Sequence, residues 1–178
     1  MGKVLELMKR VIDEGRNTVQ GLRSSYSGTP DLAFSTITRE LAIPPEVDFR
    51  VLVKGPPRPL HPVLRDEVYR IGREALINAF RHSQGTSVEI ELEYTAKRLR
   101  VLVRDNGCGI DPKLLRSGRD GHWGLTGMRE RAERIGAQLH VWSNIEGGTE
   151  IDLSVPGHVA FQRQPSNVIR RSLGGRSR

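Results

Sequence analysis

Three short runs combine residue types that can do more than fill a core. The first is Glu74-Ala75-Leu76-Ile77-Asn78-Ala79-Phe80-Arg81-His82-Ser83. On a helix, Glu74, Asn78 and Arg81 stand at i, i+4 and i+7 and share one face. Asn is a poor helix former, because its amide competes with the backbone for hydrogen bonds. Its oxygen, however, suits Mg²⁺, a hard cation that prefers oxygen donors. A carboxylate one turn earlier can act as a general base or position a water. Arg81 can pair with a phosphate. The plainer alternative is a solvated helix face with an i, i+4 hydrogen bond.

The second run is Asp105-Asn106-Gly107-Cys108-Gly109-Ile110, directly after a strand-like segment. Asp-x-Gly-x-Gly at a strand end makes a tight turn that lets backbone approach a ligand. A buried Asp there can accept a hydrogen bond from an exocyclic amine. An ordinary Asn-Gly or Asp-Gly turn has the same composition. Cys108 reads as a small filler between glycines, since no base or metal partner stands near it in sequence. The third run is Gly121-His122-Trp123-Gly124-Leu125-Thr126-Gly127-Met128, leading into a helix. Glycines at a helix start let N–H groups point at an anion, and the helix dipole favours it. The run lacks the Lys-Ser/Thr pair of a P-loop and does not have Rossmann spacing. A flexible loop with a helix start is the alternative here.

These runs need elements to position them. Leu64, Val68, Ile71, Ala75, Leu76 and Ala79 mark one face of a helix from Val63 to about His82, with Gly85 as stop. Strands are predicted at 47–53, Ser87 to Tyr94, Leu99 to Arg104, Gln138 to Asn144 and Thr149 to Val155. Asp31 is predicted to N-cap a helix from Leu32 to Leu41, closed by Pro44-Pro45. A further helix is predicted from Leu125 to Ile135, ending at Gly136. Residues 3–25 carry a single apolar stripe of Val4, Leu7, Met8, Val11, Val19 and Leu22, which needs a partner helix. Short hairpin connections imply an α+β fold: a two-layer sandwich of a mostly antiparallel sheet with helices on one face, preceded by that amphipathic helix.

Composition bounds the rest. The chain has 178 residues, 28 Lys+Arg against 21 Asp+Glu, and a formal net charge of +7. That length suits one domain with short additions and buries a core without disulfides. One cysteine makes neither an internal disulfide nor a cysteine-based zinc site. No apolar run approaches the roughly 20 residues of a membrane span, and the start has no signal-peptide h-region. A cytoplasmic chain is therefore expected, though a longer parent could be membrane-anchored. From residue 157 onward there are five arginines and no acid. The basicity is mostly this Gly-, Ser- and Pro-containing tail, which reads as disordered, and no nucleic-acid partner is expected.

Taken together and in order, the three runs resemble the ATPase domain of the GHKL superfamily, which includes gyrase, histidine kinases and MutL. They are most similar to the nitrate-sensor-like class of bacterial sensor histidine kinases. EALINAFRHS resembles the asparagine box, DNGCGI the first glycine box, GHWGLTGMRERAERIGAQLHVWS the second with its helix, and GGTEIDLSVP the closing strand pair. The resemblance covers about residues 30–156. It implies the Bergerat ATP-binding fold, ATP and Mg²⁺ as ligands, and transfer of the γ-phosphoryl group to a histidine for relay to a response regulator. It implies Glu74 as the catalytic carboxylate and Asn78 as the Mg²⁺ ligand. Arg81 would meet phosphate and His82 the nucleotide. Asp105 would take the adenine amine, with Gly107, Gly109 and Ile110 beside it. Gly124, Leu125, Gly127 and Met128 would line the phosphate and lid side, and Thr149 would complete the adenine pocket. The loop between Ile110 and Gly121 would be a short lid.

The resemblance divides the chain into a remnant of a dimerisation helix and linker (1–28), an ATPase domain (29–157) and a basic tail (158–178). Residues 3–25 resemble the second dimerisation helix and could support a homodimer. Histidines stand at 61, 82, 122, 140 and 158, and none lies on that helix. The phosphoacceptor is therefore expected on a dimerisation domain missing from this chain, and this chain alone is not expected to autophosphorylate. Two other readings share the same motifs: a stand-alone serine/threonine kinase of the anti-sigma type, and a nucleotide-binding module without transfer.

Overall fold

The structure is a computed structural model, and it describes residues 29–41, 43, 45–111 and 123–162. Outside the described residues lie the amphipathic segment 3–25, Pro44, the expected lid from 112, Gly121-His122 and the tail from 163.

Chain order is α1 (Pro30–Leu41), β1 (Asp48–Lys54), α2 (Pro62–His82), β2 (Ser87–Tyr94), β3 (Arg98–Asp105), α3 (Trp123–Arg134), β4 (Gln138–Asn144), β5 (Gly148–Pro156) and the short α4 (Gly157–Ala160). The five strands form one sheet in the order β1-β2-β3-β5-β4. β1 pairs with β2 in parallel, and the other three pairs are antiparallel. The parallel pair follows from α2, a 21-residue crossover that returns the chain to the end where β1 began. The expected mostly antiparallel sheet is what forms, with the β1–β2 pair making it mixed.

Strand alternation separates the two faces. Ile90 pairs with Val103, Leu92 with Val101, Val103 with Ile151 and Val101 with Leu153, and all of these are buried. Leu64, Val68, Ile71, Ala75, Leu76 and Ala79 of α2 join them in one core, as the helical spacing required. Met128 and Ala132 bring α3 into the same core. The other face of the sheet carries a lattice of ions. Lys54 pairs with Glu91 at 2.9 Å, Arg100 with Asp152 at 2.8 Å, and Arg104 with Glu150 at 2.7 Å. Leu102 stands in register between Glu91 and Asp152 and is buried beneath those long side chains.

One expectation at α1 is corrected. Asp31 does not precede the helix, because Pro30 already occupies its first turn, where a missing N–H is tolerated. The Asp31 carboxylate instead accepts the Tyr94 hydroxyl at 3.2 Å and ties α1 to the end of β2. Phe34 completes the docking. Its ring packs 5.4 Å from Tyr69 and lies over Gly72, where α2 offers no side chain. At the same end of the sheet, Phe161 is buried after α4, and its ring carries the Arg58 guanidinium at 3.8 Å. No helix among the described residues is long and apolar enough to cross a membrane.

Candidate functional site

The opposite end of the sheet is open. Where β3 finishes and β5 starts, α2 and α3 leave a cavity of ≈170 Å³. Val103 and Ile151 form its floor, and Ala75 and Ala79 of α2 form one wall. The polar groups at its surface are Asn78, His82, Ser83, Asp105 and Thr149. Gly109, Ile110, Gly124 and Leu125 complete the rim. Residues from all three sequence runs therefore meet in one place. An apolar body with a few convergent polar groups is the ordinary form of a small-molecule site.

Asp105 is the last residue of β3 and pairs in register with Thr149. Its Oδ1 accepts the Gly107 N–H at 3.0 Å and the Thr149 N–H at 3.3 Å. Burial pushes its pKa above the ordinary carboxylate value, and these two backbone donors pull it partly back. Both of these bonds end on Oδ1, and the carboxylate lines the cavity beside Thr149.

The turn after Asp105 is held by its neighbours. Cys108 donates its N–H to the Ser83 carbonyl at 2.7 Å. Gly107 lies so close to Ser83 that a Cβ would collide with that residue's backbone and side chain. Gly109 has φ +71° and lies against the Asn144 carbonyl, so it meets both requirements for glycine. Asn106 faces away from the cavity. Its Oδ1 accepts the N–H groups of Thr86 at 3.0 Å and Ser87 at 2.9 Å, which fixes the loop between α2 and β2.

The helix residues separate into two groups. Asn78 lines the cavity, whereas Arg81 is exposed and stands outside the described lining. Helical geometry explains the split. The wall residues Ala75, Asn78, Ala79 and His82 follow i, i+3, i+4, i+7, and at 100° per residue Glu74 and Arg81 fall on one flank of that stripe. Asn78 sits at the boundary between the two stripes. Glu74 still reaches the site's edge: a Cβ placed on Gly124 would stand 2.6 Å from Glu74 Oε1 and 3.3 Å from Asn78 Nδ2. The start of α3 thus rests on both residues of the first run. Gly124 and Leu125 line the cavity, but Met128 is buried in the core. Gly127 has open space among the described residues where a side chain would stand.

Two serines join the site without having been singled out in the sequence. Ser83 caps α2, with its N–H donating to Ala79 and its Oγ accepting the Gly85 N–H at 3.0 Å. Ser143 of β4 stands behind Thr149. Its Oγ accepts the Ile110 N–H at 2.7 Å, lies 3.1 Å from the Gly148 carbonyl and 3.0 Å from Thr149 Oγ1. A Ser-Thr hydroxyl pair across neighbouring strands leaves no local mark in sequence. A second, more open hollow of ≈300 Å³ lies beside the site, between Trp142, Arg104 and Glu150. Arg104 is already committed there to Glu150 and Glu89.

A mostly antiparallel sheet backed by helices, with a glycine-rich turn and a helix start converging on one half-buried carboxylate, defines a two-layer α+β domain with a small-molecule cavity at one end of its sheet. The matched family is more specific. Residues 64–158 match the model of the histidine kinase-, DNA gyrase B-, and HSP90-like ATPases, and the chain belongs to that family. It is 36% identical over 126 residues to a sensor protein NarQ homolog from Haemophilus influenzae, covering 70% of this chain and 22% of that one. It is 41% identical over 95 residues to the sensor protein VraS of Staphylococcus saprophyticus, covering 52% of this chain and 26% of that one. The chain thus spans about a quarter of the length of these relatives. A histidine kinase domain of the blue-light activated kinase of Erythrobacter litoralis shares the fold at TM-score 0.56, with 23% identity over 70% of this chain and 57% of that one.

Proposed function

We propose that this chain is the ATP-binding catalytic part of a two-component sensor histidine kinase. It binds Mg·ATP and transfers the γ-phosphoryl group to a histidine of a dimerisation domain, for relay to a response regulator. The observation that carries the reading is the Asp105 carboxylate. One oxygen is fixed by Gly107 and Thr149, and the carboxylate lines the cavity, where it would receive an exocyclic amine. Around it, Val103, Ile151 and Ala79 provide apolar surface for a planar base.

Each further role follows from position. Gly107 and Gly109 let the turn lie close to the base, and Ile110 closes its rim. His82 and Thr149 flank the nucleotide. Gly124 and Leu125, at the start of α3, face the phosphate side, where helix N–H groups favour anions. Met128 contributes by packing α3 onto the core, and Gly127 leaves room along that helix. Arg81 stands outside the cavity, so its contact with phosphate requires the triphosphate to run past the rim. Asn78 would hold Mg²⁺. Among the described residues no group of three or more His, Cys, Asp or Glu could hold a metal. One amide oxygen is a hard donor and suits an ion that takes most of its ligands from phosphate and water. When bound, that ion would neutralise phosphate charge. Glu74, one turn before Asn78, would polarise the attacking imidazole, and the remaining work is positioning.

We place the residues before 29 with the dimerisation helix, where they support a homodimer of the parent, and those from 163 onward, rather than from 158, in a basic tail, since Ala160 and Phe161 are buried in the core of the domain. The phosphoacceptor domain and response regulator act as partners, and the chain works on the cytoplasmic side.

The test is calorimetric titration of the full chain with a non-hydrolysable ATP analogue and Mg²⁺, beside Asp105→Ala. Binding that the variant loses supports the reading. A folded wild-type chain that binds no adenine nucleotide overturns it. Phosphorylation of a separately supplied dimerisation helix on its histidine then separates histidine kinase from serine/threonine kinase and from a module without transfer.

A further inference from the structure

We propose that Ser143 is a positioning residue that sets the base selectivity of the cavity by fixing the direction of the Thr149 hydroxyl proton. The inference rests on the ATP reading above and names what makes that site prefer a 6-amino purine over a 6-oxo purine.

The argument is an inventory of protons. A serine hydroxyl has one proton and two lone pairs. Ser143 Oγ has three polar neighbours: the Ile110 N–H at 2.7 Å, the Gly148 carbonyl at 3.1 Å and Thr149 Oγ1 at 3.0 Å. The Ile110 N–H can only donate, so it takes one lone pair. The Gly148 carbonyl can only accept, so it takes the proton. One lone pair remains, and Thr149 satisfies it by donating. Reversing the Ser143–Thr149 bond would leave two oxygens, Ser143 Oγ and the Gly148 carbonyl, 3.1 Å apart with no proton between them. Only the first arrangement satisfies all three contacts.

The consequence appears at the cavity. Thr149 lines it and Ser143 stands behind. With its proton turned back to Ser143, Thr149 Oγ1 offers the ligand lone pairs only. The neighbouring Asp105 carboxylate also only accepts when ionised. Two acceptors side by side suit an amino group with two N–H bonds. They repel a carbonyl oxygen at the same ring position, and a site built this way rejects the analogue that lacks the donor. The Thr149 N–H donates to Asp105, so the pair is held together on the backbone side as well.

The experiment compares Kd for Mg·ATP and Mg·ITP in the full chain by calorimetry. ITP differs from ATP by an oxo group at position 6 and the attendant N1–H. Wild type should prefer ATP. Ser143→Ala frees the Thr149 proton to turn into the cavity, so the ATP/ITP preference should fall by roughly tenfold, the effect of about one hydrogen bond. Ser143→Thr keeps the hydroxyl and should keep the preference. Thr149→Val should lower the preference by itself, and adding Ser143→Ala to it should change nothing further. Equal losses for both nucleotides in Ser143→Ala, or additive effects in the double variant, would mean a purely structural serine and overturn the inference while leaving the ATP reading intact. If Ser143→Ala does not fold, Thr149→Val decides: an unchanged ATP/ITP ratio overturns the inference. A folded wild type that binds neither nucleotide removes the ATP reading and this inference with it.

Discussion

The backbone N–H of Thr149 donates to Asp105 Oδ1 across 44 positions of chain, so the end of one strand and the start of its neighbour hold the same carboxylate. Burial raises the pKa of that group, while the backbone bonds from Gly107 and Thr149 lower it by less. Asp105 is therefore strained electrostatically in the folded chain, and the strain has a sign that can be measured.

An acid with a raised folded pKa keeps its proton in the native state after the unfolded chain has lost it. Stability then falls as pH rises from the ordinary carboxylate value through the folded one, and is level above that window. Asp105→Asn removes the titration and keeps an acceptor oxygen for Gly107 and Thr149. The stability difference between variant and wild type should open in the variant's favour across that window, as read by thermal melts at a series of pH values. A difference that does not change with pH rules out desolvation of Asp105 as the cause. The same variant should weaken Mg·ATP binding by about 2 kcal/mol, the scale of a hydrogen bond to a charged group.

Gly109→Ala tests the turn that carries the carboxylate. The substitution places a side chain at φ +71° and drives it into the Asn144 carbonyl. Strain of the first kind costs about 1 kcal/mol and the collision more, so a loss of about 2–3 kcal/mol is expected in chemical denaturation. A loss below about 0.5 kcal/mol would show that the turn re-forms freely.

Arg100 and Asp152 form a bidentate ion pair on the outer sheet face, with both carboxylate oxygens engaged at 2.8–3.0 Å. Asp152 is nearly buried, so Arg100→Ala strands a charge and should cost about 2–3 kcal/mol. Replacing both residues with apolar side chains of similar size should be close to neutral. Neither lines the described cavity, so Mg·ATP affinity should stay within about twofold in every variant that folds.

Much of this architecture is written locally. The α2 face and the hairpin strands follow from periodicity, and the three polar runs are contiguous, so their meeting needed only the right element order. What the sequence hid depends on residues far apart. Asp31 has the composition of a helix cap, yet it bonds Tyr94, 63 positions away. Ser143 is a short polar residue with no local pattern, and its Ile110 partner comes from another part of the chain, as does the Cys108 N–H that the Ser83 carbonyl accepts. Arg81 shares a stripe with Glu74, but a stripe shows which residues align and not which flank faces a cavity. Met128 sits within a glycine-rich run and is spent on the core because helix α3 turns it inward.

Gly72 poses a contest between two effects of known size. Alanine is favoured over glycine inside a helix by about 1 kcal/mol. At this position, however, its Cβ would stand 2.5 Å from Phe34 Cζ, and Phe34 is fully buried between α1 and α2. Overpacking of that kind costs about 1–3 kcal/mol. The collision should win, and Gly72→Ala should destabilise the chain by about 1 kcal/mol despite the better helix former. Phe34→Leu alone should also destabilise, because it removes ring contacts with Tyr69. In the Gly72→Ala background the smaller side chain should recover part of the loss, since the two changes share one volume. A stabilising Gly72→Ala, or strictly additive losses in the double variant, would mean that α1 is free to shift away from α2 and that Phe34 does not set the spacing of the two helices.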